Sequence, residues 1–580
     1  MTHTLRRDNQ LKSASMERTV GPSSVATQPL DRLRKWCGTY SRRIATEPSR
    51  LIAESAGLGG GERLRADSTA YRPRKPRLRG AFSALYVLWT LWVWLGLCVG
   101  SLQAQAKNVI LMISDGAGYN TWVATSMYQG RWEAATGRSR QIYDQEGWLH
   151  FGCATYPLSL ADKPAGTNRQ DPKLVYDPAK AWDPVKGYDW LRTTATDSAA
   201  AGTAMATGVK TYNNAINWSD EDRPLEPALP QLAKARGKSV GIVTSVQWSH
   251  ATPATLGGAR VPDRDDYEAI ARQMLHSYWL DVIMGAGHPE YDHDGRPVEK
   301  GKQYRYVGGD EIWKALEAAR AKPDGTYQGF RPVVTREEFA ALCSGNPPRK
   351  VVGTAPVATT LQVARSGGAP NDPPFDDPLI DSVPNLAMMT EGALNILDDN
   401  PRGFFLMVEG GAVDWANHAR HLGRMIEEQI DFLQAVEVVV RWVEKHSNWS
   451  ETLVIITADH ETGLLWGPNS AEKPFEPLGD RGAGQMPLAY YNSKGHSNSL
   501  VPLMARGFAA ERFRQEIVGE DPRYGAYVDN TAIFRVIAQA LGLDRSLSEQ
   551  AEPRMPLVEG LPFHWEFSAQ TIRFMGIDAR

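Results

Sequence analysis

Four short apolar, β-branched runs constrain this chain more than any other feature: NVILMIS (108–114), SVGIVTS (239–245), GFFLMVE (403–409) and TLVIITA (452–458). Each is seven residues long with little polar alternation, the pattern of a strand buried on both faces of a sheet. Helical patterns lie between them. LPQLAKAR (229–236) stops at Gly237 just before the second run, and the stretch from Met425 to His446 carries Ile426, Ile430, Leu433, Val440 and Val443 at helical spacings. Strands alternating with helices predict an α/β fold, with a central mixed, mostly parallel β-sheet sandwiched between helical layers.

The residues at the end of each run carry the chemistry. Asp115-Gly-Ala-Gly comes after the first, and Ser249-His250-Ala-Thr252 after the second. Glu409 ends the third, with Asp414 and His418 just beyond it, and Asp459-His460 comes after the fourth. Ligands of open α/β sheets bind beyond the carboxyl ends of the strands, so these side chains are expected at one edge as a polymetal site. Each element alone has a plainer reading. Asp-Gly after a strand is usually a turn, Asp414 and His418 could be a solvated pair on one helical face, and His496 in KGHSNS could be a loop residue. Coincidence at four strand ends favours the metal reading.

The segment TTATDSAAAGTAMATGVKTYNNAI (193–216) is the strongest candidate for a nucleophile. Its Ala-rich run predicts a helix ending near Gly208, with Ser198 in the first turn, where free N–H groups and the helix dipole favour an anion. Asp197 or Ser198 could equally be a helix cap and nothing more. The chain has no G-x-S-x-G elbow, so a serine activated by metal fits better than a histidine-based triad.

Charge and composition narrow the classes. Residues 1–80 hold 17 Lys/Arg against 7 Asp/Glu, whereas the remaining 500 hold 47 against 60. An acidic globular part argues against nucleic acid as a partner. Gly (52) and Pro (37) are too few for a collagen-like or globally disordered chain. Arg72, Arg74, Lys75, Arg77 and Arg79 precede a charge-free stretch, Gly80 to Ala106, whose apolar centre (81–100) leads to Ala104-Gln105-Ala106. That is the layout of an export signal, and the run is also long enough to remain as a membrane anchor. Either way the positive flank directs the rest out of the cytoplasm, to the periplasm or beyond.

The expected organisation is therefore a basic, disordered extension (1–79), a signal or anchor (80–106) and a catalytic domain (107–580). The Pro/Gly-rich loop RSGGAPNDPPFDDP (365–378) and the weakly patterned stretch before it suggest an insertion around 285–380, over or beside the sheet. Cys153 and Cys343 are the two cysteines of this domain and lie outside any CxxC or Cys/His cluster, which favours structural roles, buried or paired.

In chain order, NVILMISDGAG, TDSAAAGTAMATG, HATPA, VEGGAVDWANH, TADHETG and GHSNS resemble the motifs of the alkaline phosphatases, over Lys107 to about Leu543. The resemblance implies that family's mixed sheet between helical layers, usually in a homodimer, with two zinc ions and one magnesium. Carried over residue by residue, it makes Ser198 the nucleophile that becomes phosphoserine. It gives Asp414, His418 and His496 to one zinc, and Asp115, Asp459 and His460 to the second. Asp115, Thr252 and Glu409 fall to magnesium. The phosphate-clamping arginine matches Arg264, with Arg260 as a rival, and Asp197 would orient it. Two positions depart from the best-known bacterial pattern. His250 stands where an aspartate often precedes Ala-Thr-Pro, and Trp415 where a lysine often follows the zinc-binding aspartate. Both bear on the third site and on phosphate release.

The expected function is hydrolysis of phosphate monoesters with release of inorganic phosphate. The nearest alternative is a phosphodiesterase, sulfatase or other hydrolase on the same metal scaffold, although Ser198-Ala-Ala-Ala-Gly lacks the Pro and Arg of a sulfatase site. A non-catalytic metal- or phosphate-binding surface protein is a third reading; its sign would be a lost serine or ligand, and none is lost.

Overall fold

A computed structural model describes residues 105–543. The basic extension, the apolar run 81–100 and the chain beyond 543 lie outside the described residues. Among those described, no helix is long and apolar enough to cross a membrane.

Eleven strands form one sheet: β1 (Asn108–Ser114), β2 (Leu149–Ala154), β3 (Ser239–Gln247), β4 (Val282–Ala286), β5 (Arg331–Val333), β6 (Val351–Thr354), β7 (Phe404–Gly410), β8 (Thr452–Thr457), β9 (Val501–Gly507), β10 (Ile517–Asp521) and β11 (Gly525–Asp529). Their order is β10-β11-β2-β9-β8-β1-β7-β3-β4-β6-β5. From β8 to β5 every neighbouring pair is parallel. β9 runs antiparallel to both β8 and β2, which makes the sheet mixed. The four runs read from the sequence are β1, β3, β7 and β8, and they are adjacent at its centre.

Successive residues of a strand point to opposite faces, yet every residue of β1, β7 and β8 is buried. Both faces are therefore covered, as uninterrupted apolar runs require. Truncating Ile110 or Phe405, both fully buried, to alanine would cost about 2–5 kcal/mol. Register levels the strand ends: Ile113 stands opposite Glu409 on one side and Thr457 on the other, and Thr244 stands opposite Glu409.

Five helices frame that edge: α1 (Ser198–Thr207), α2 (Ala251–Leu256), α3 (Tyr267–Leu275), α4 (Ala412–His418) and α5 (Leu422–His446). The last spans 25 residues, and its Gln429 Oε1 accepts the Ser114 hydroxyl at the end of β1. Small residues let α1 approach α2 closely. A Cβ on Gly202 would lie 2.3 Å from Thr255 Oγ1.

The stretch 285–364 does more than lie over the sheet. It supplies β5 and β6, which extend the sheet at one edge, and the helices Asp310–Arg320 and Arg336–Leu342. The loop 365–378 is irregular, as its composition predicts, and is pinned to α5 by the buried pair Arg365–Glu427. Cys153 is buried in β2 and Cys343 is half-buried; both are free thiols.

Candidate metal centre and active site

The sheet edge gathers two clusters of metal-ligating side chains among the described residues, Asp414–His418–His496 and Asp115–Asp459–His460. Within each, the ligand atoms lie within 4.8 Å of one another. The turn after β1 makes this crowding feasible. Gly116 has φ +69°, and a Cβ there would lie 2.7 Å from Asp414 Oδ1. The Gly116 N–H donates to Asp459 Oδ1 at 3.1 Å. A glycine is thus required where Asp115, Asp414 and Asp459 converge.

In the first cluster, Asp414 and His418 stand one turn apart on α4, with Nε2 3.3 Å from Oδ2. His418 Nδ1 lies 2.5 Å from the Lys494 carbonyl, and His496 Nδ1 lies 2.9 Å from the Thr196 carbonyl. A carbonyl can only accept, so each Nδ1 carries the proton and each Nε2 is left as a donor atom for a cation. These two Nε2 atoms are 3.1 Å apart. Thr462 Oγ1 donates to Asp414 Oδ1 at 2.6 Å and fixes that carboxylate from behind.

In the second cluster, His460 Nε2 lies 3.2 Å from Asp459 Oδ2 and 3.6 Å from Asp115 Oδ1. All three residues are fully buried. Both Asp115 oxygens and Asp459 Oδ2 have no hydrogen-bond partner, and the same is true of Glu409 Oε1 and Thr252 Oγ1 nearby. Burial and the Asp459 charge push the Asp115 carboxyl well above the usual range, and burial raises Glu409 to about 7. Burial and neighbouring His496 hold His460 well below the ordinary imidazole value, hence neutral. Burial works against the Asp414 charge, but the neighbouring His418, His496 and His460 side chains hold that carboxyl low. Orphaned carboxylate oxygens around the neutral His460 imidazole are what bound cations satisfy. The donor sets also fit the expected metals: nitrogen with oxygen in the two clusters, oxygen alone at Asp115, Thr252 and Glu409.

Beside the second cluster stands the serine. Ser198 opens α1, is 2 % exposed, and its Oγ lies 3.1 Å from His460 Nε2. Asp197 caps the helix through the Ala200 N–H at 2.9 Å. It therefore does serve as the cap that a plain reading gives it. Its other oxygen takes Arg264 Nη1 at 2.8 Å and the Asn214 N–H at 3.1 Å. Burial opposes the Arg264 charge, but Asp197 more than restores it. Arg260 turns away instead, paired with Glu226 above the Trp279 ring. His250 and Trp415 meet edge to face at 5.8 Å, and burial with the Arg264 charge drops His250 to about 3.

A family model for alkaline phosphatase matches residues 185–516, more than half of the chain. The chain belongs to the alkaline phosphatase family. Alkaline phosphatase H of Pseudomonas aeruginosa is 30% identical over 377 residues, covering 60% of this chain and 73% of that protein. Alkaline phosphatase of Escherichia coli is 28% identical over 463 residues, 76% of this chain and 86% of its own length. Streptomycin-6-phosphate phosphatase of Streptomyces griseus is 30% identical over 520 residues, 81% of this chain and 98% of its own. A cold-active alkaline phosphatase from Shewanella sp. shares the fold at TM-score 0.52 and 24% identity, over 75% of this chain and 99% of that one. The Thermus thermophilus enzyme does so at TM-score 0.51 and 21% identity, over 78% of this chain and 96% of that one. This alkaline phosphatase is a hydrolase, and its family implies metal ions.

Every site residue expected from the sequence lies at this edge. Reading residue types overlooked the supports. Thr462 lies inside the TADHETG motif but carries no metal-ligand signature. Asn213 and Asn214 come after α1, where Asn213 Oδ1 accepts the Asp197 N–H at 3.1 Å and the Asn214 carbonyl accepts the Arg264 N–H at 2.9 Å. A polar pair just past Gly208 was the available signal.

Proposed function

We propose that this alkaline phosphatase is an exported phosphomonoesterase that works through a phosphoserine at Ser198. The observation that carries this reading is one sheet edge that brings together a helix-start serine, a candidate metal-ligand cluster at its hydroxyl, and an arginine braced on the adjacent aspartate. Asp414, His418 and His496 would hold one zinc, and Asp115, Asp459 and His460 another. Asp115, Thr252 and Glu409 would hold a magnesium. When bound, these ions supply Lewis acidity, which eases ionisation of the serine and of water and offsets charge on the departing oxygen.

Ser198 Oγ attacks phosphorus, the ester P–O bond breaks opposite it, and the alcohol departs with its oxygen. Water then attacks phosphoserine from the vacated side and releases inorganic phosphate with Ser198 restored. The free N–H groups at the start of α1 face the anion as it forms. Arg264 holds two non-bridging oxygens through both its forks, and Asp197 fixes that fork in place. A dianionic monoester fits such a clamp better than a diester. The basic flank and apolar run at 72–106 support export, with the run 81–100 cleaved or kept as an anchor, and the family resemblance supports a homodimer.

The test is turnover of p-nitrophenyl phosphate against bis-(p-nitrophenyl) phosphate by the zinc- and magnesium-loaded protein across pH 7–10. Dominant monoester turnover that vanishes in Ser198→Ala and after chelation is the expected outcome. Diester preference would move the enzyme to a sister activity. Turnover that survives Ser198→Ala would sink the covalent mechanism.

A further inference from the structure

The rim of the site carries a second guanidinium that the proposed reaction does not use. Arg305 lies on the 3-10 turn Tyr304–Val307, within the stretch 285–364. Two bonds mount this turn rigidly. Ser249 Oγ donates to the Tyr306 carbonyl at 2.9 Å, beside the segment that bears His250 and Thr252, and Arg272 Nε on α3 donates to the Gly308 carbonyl at 2.9 Å.

Arg305 itself is exposed but held. Its Nη2 donates to the Tyr306 hydroxyl at 2.7 Å, and its guanidinium carbon lies 4.7 Å from the Tyr306 ring and 5.1 Å from the Tyr267 ring. Tyr267 leads inward: its ring is stacked 6.3 Å from His250, and its phenol lies within electrostatic reach of Arg264. Nearby cations are neutralised, since Arg260, Arg264, Arg272 and Lys302 each pair with a carboxylate. Arg305 has no carboxylate partner among the described residues. A planar cation held against two aromatic faces, with its remaining N–H groups toward solvent, is prepared to take a phosphate.

We propose that Arg305 forms an outer anion subsite for a second phosphate of the substrate, so that the favoured class is a terminal phosphate joined to a neighbouring phosphate through an anhydride oxygen, as in a nucleoside diphosphate. The proposal rests on the phosphomonoesterase reading. With adenosine diphosphate, the bond from the terminal phosphorus to the bridging oxygen breaks. Adenosine monophosphate leaves with that oxygen, and water supplies the oxygen of the released phosphate.

The experiment compares kcat and KM for adenosine diphosphate and adenosine monophosphate in the metal-loaded full chain and in Arg305→Ala and Arg305→Lys. The expected result for Arg305→Ala is a fall of about tenfold in the diphosphate-to-monophosphate ratio of kcat/KM, seen in KM. Arg305→Lys keeps the charge without the fork and recovers part of it. The diphosphate KM should also lose part of its salt dependence in Arg305→Ala. A ratio unchanged in Arg305→Ala, or an equal fall for both nucleotides, overturns the outer subsite and leaves the monoesterase reading standing. Wild-type protein that turns over neither nucleotide nor p-nitrophenyl phosphate overturns both.

Discussion

One carboxylate serves both the helix and the clamp: Asp197 Oδ1 accepts the Ala200 N–H at 2.9 Å while Oδ2 takes Arg264 at 2.8 Å. Asp197→Ala removes both contacts. The expected result is a loss of about 1 kcal/mol from the missing cap and a rise of about tenfold in KM for a monoester. Asp197→Asn keeps a capping oxygen and loses the charge, so its melting temperature should stay near wild type while KM still rises. Equal KM values in Asn, Ala and wild-type proteins would show that Arg264 needs no brace.

Thr462 is fully buried and spends its hydroxyl on Asp414 Oδ1. Thr462→Val keeps the shape and deletes this bond together with the 3.3 Å contact between Thr462 Oγ1 and His460 Nδ1. Zinc should then be lost to a competing chelator at roughly 10- to 100-fold lower chelator concentration, the usual effect of removing a ligand's partner. Zinc retention indistinguishable from wild type would count against Asp414 as a ligand.

The contact between Gly202 and Thr255 sets how closely α1 can lie on α2. Gly202→Ala should destabilise the protein by about 1–3 kcal/mol and lower kcat, because the displaced helix carries Ser198. Adding Thr255→Ala removes the clashing atoms and should restore most of both losses. A double variant no better than the single one would place the damage elsewhere.

Glu428 on α5 is 4 % exposed, and its Oε1 has no hydrogen-bond partner. Burial first, then the charges of Asp431 and Glu427, push its carboxyl up to about 8, with Arg365 offsetting part of the effect. The folded state therefore holds this proton more tightly than the unfolded chain does. Stability from this group is complete below the unfolded value of about 4.3 and is lost as pH rises through about 8. Glu428→Gln is neutral throughout, so its melting temperature should gain on wild type between pH 5 and pH 9, by about 2 °C or more. Parallel melting curves across that range would refute the assignment.

The centre of the fold was legible because a strand buried on both faces has a compositional signature. The runs beginning at 108, 239, 403 and 452 became four adjacent strands within a residue or two at each end. Strands β5 and β6, with three and four residues, are too short to show a period, so their stretch read as an insertion rather than as sheet edge. In the site, the candidate ligands announced themselves by residue type at strand ends. Arg264 and Arg260 could not be separated by type, since only the fold shows that one faces Asp197 and the other Glu226. Thr462 and Asn213 act through hydrogen bonds, which no spacing encodes.

The order of strands also bears on how the enzyme comes into being. Among the described residues β1 pairs only with β7 and β8, whose first residues are Phe404 and Thr452. A growing chain therefore carries this strand unpartnered from Ser114 until Phe404 is made, and contacts so distant in sequence close late. Asp115 waits at the end of that strand for Asp459 and His460. Translation arrested anywhere before them leaves the second cluster incomplete, because its residues come from widely separated parts of the chain.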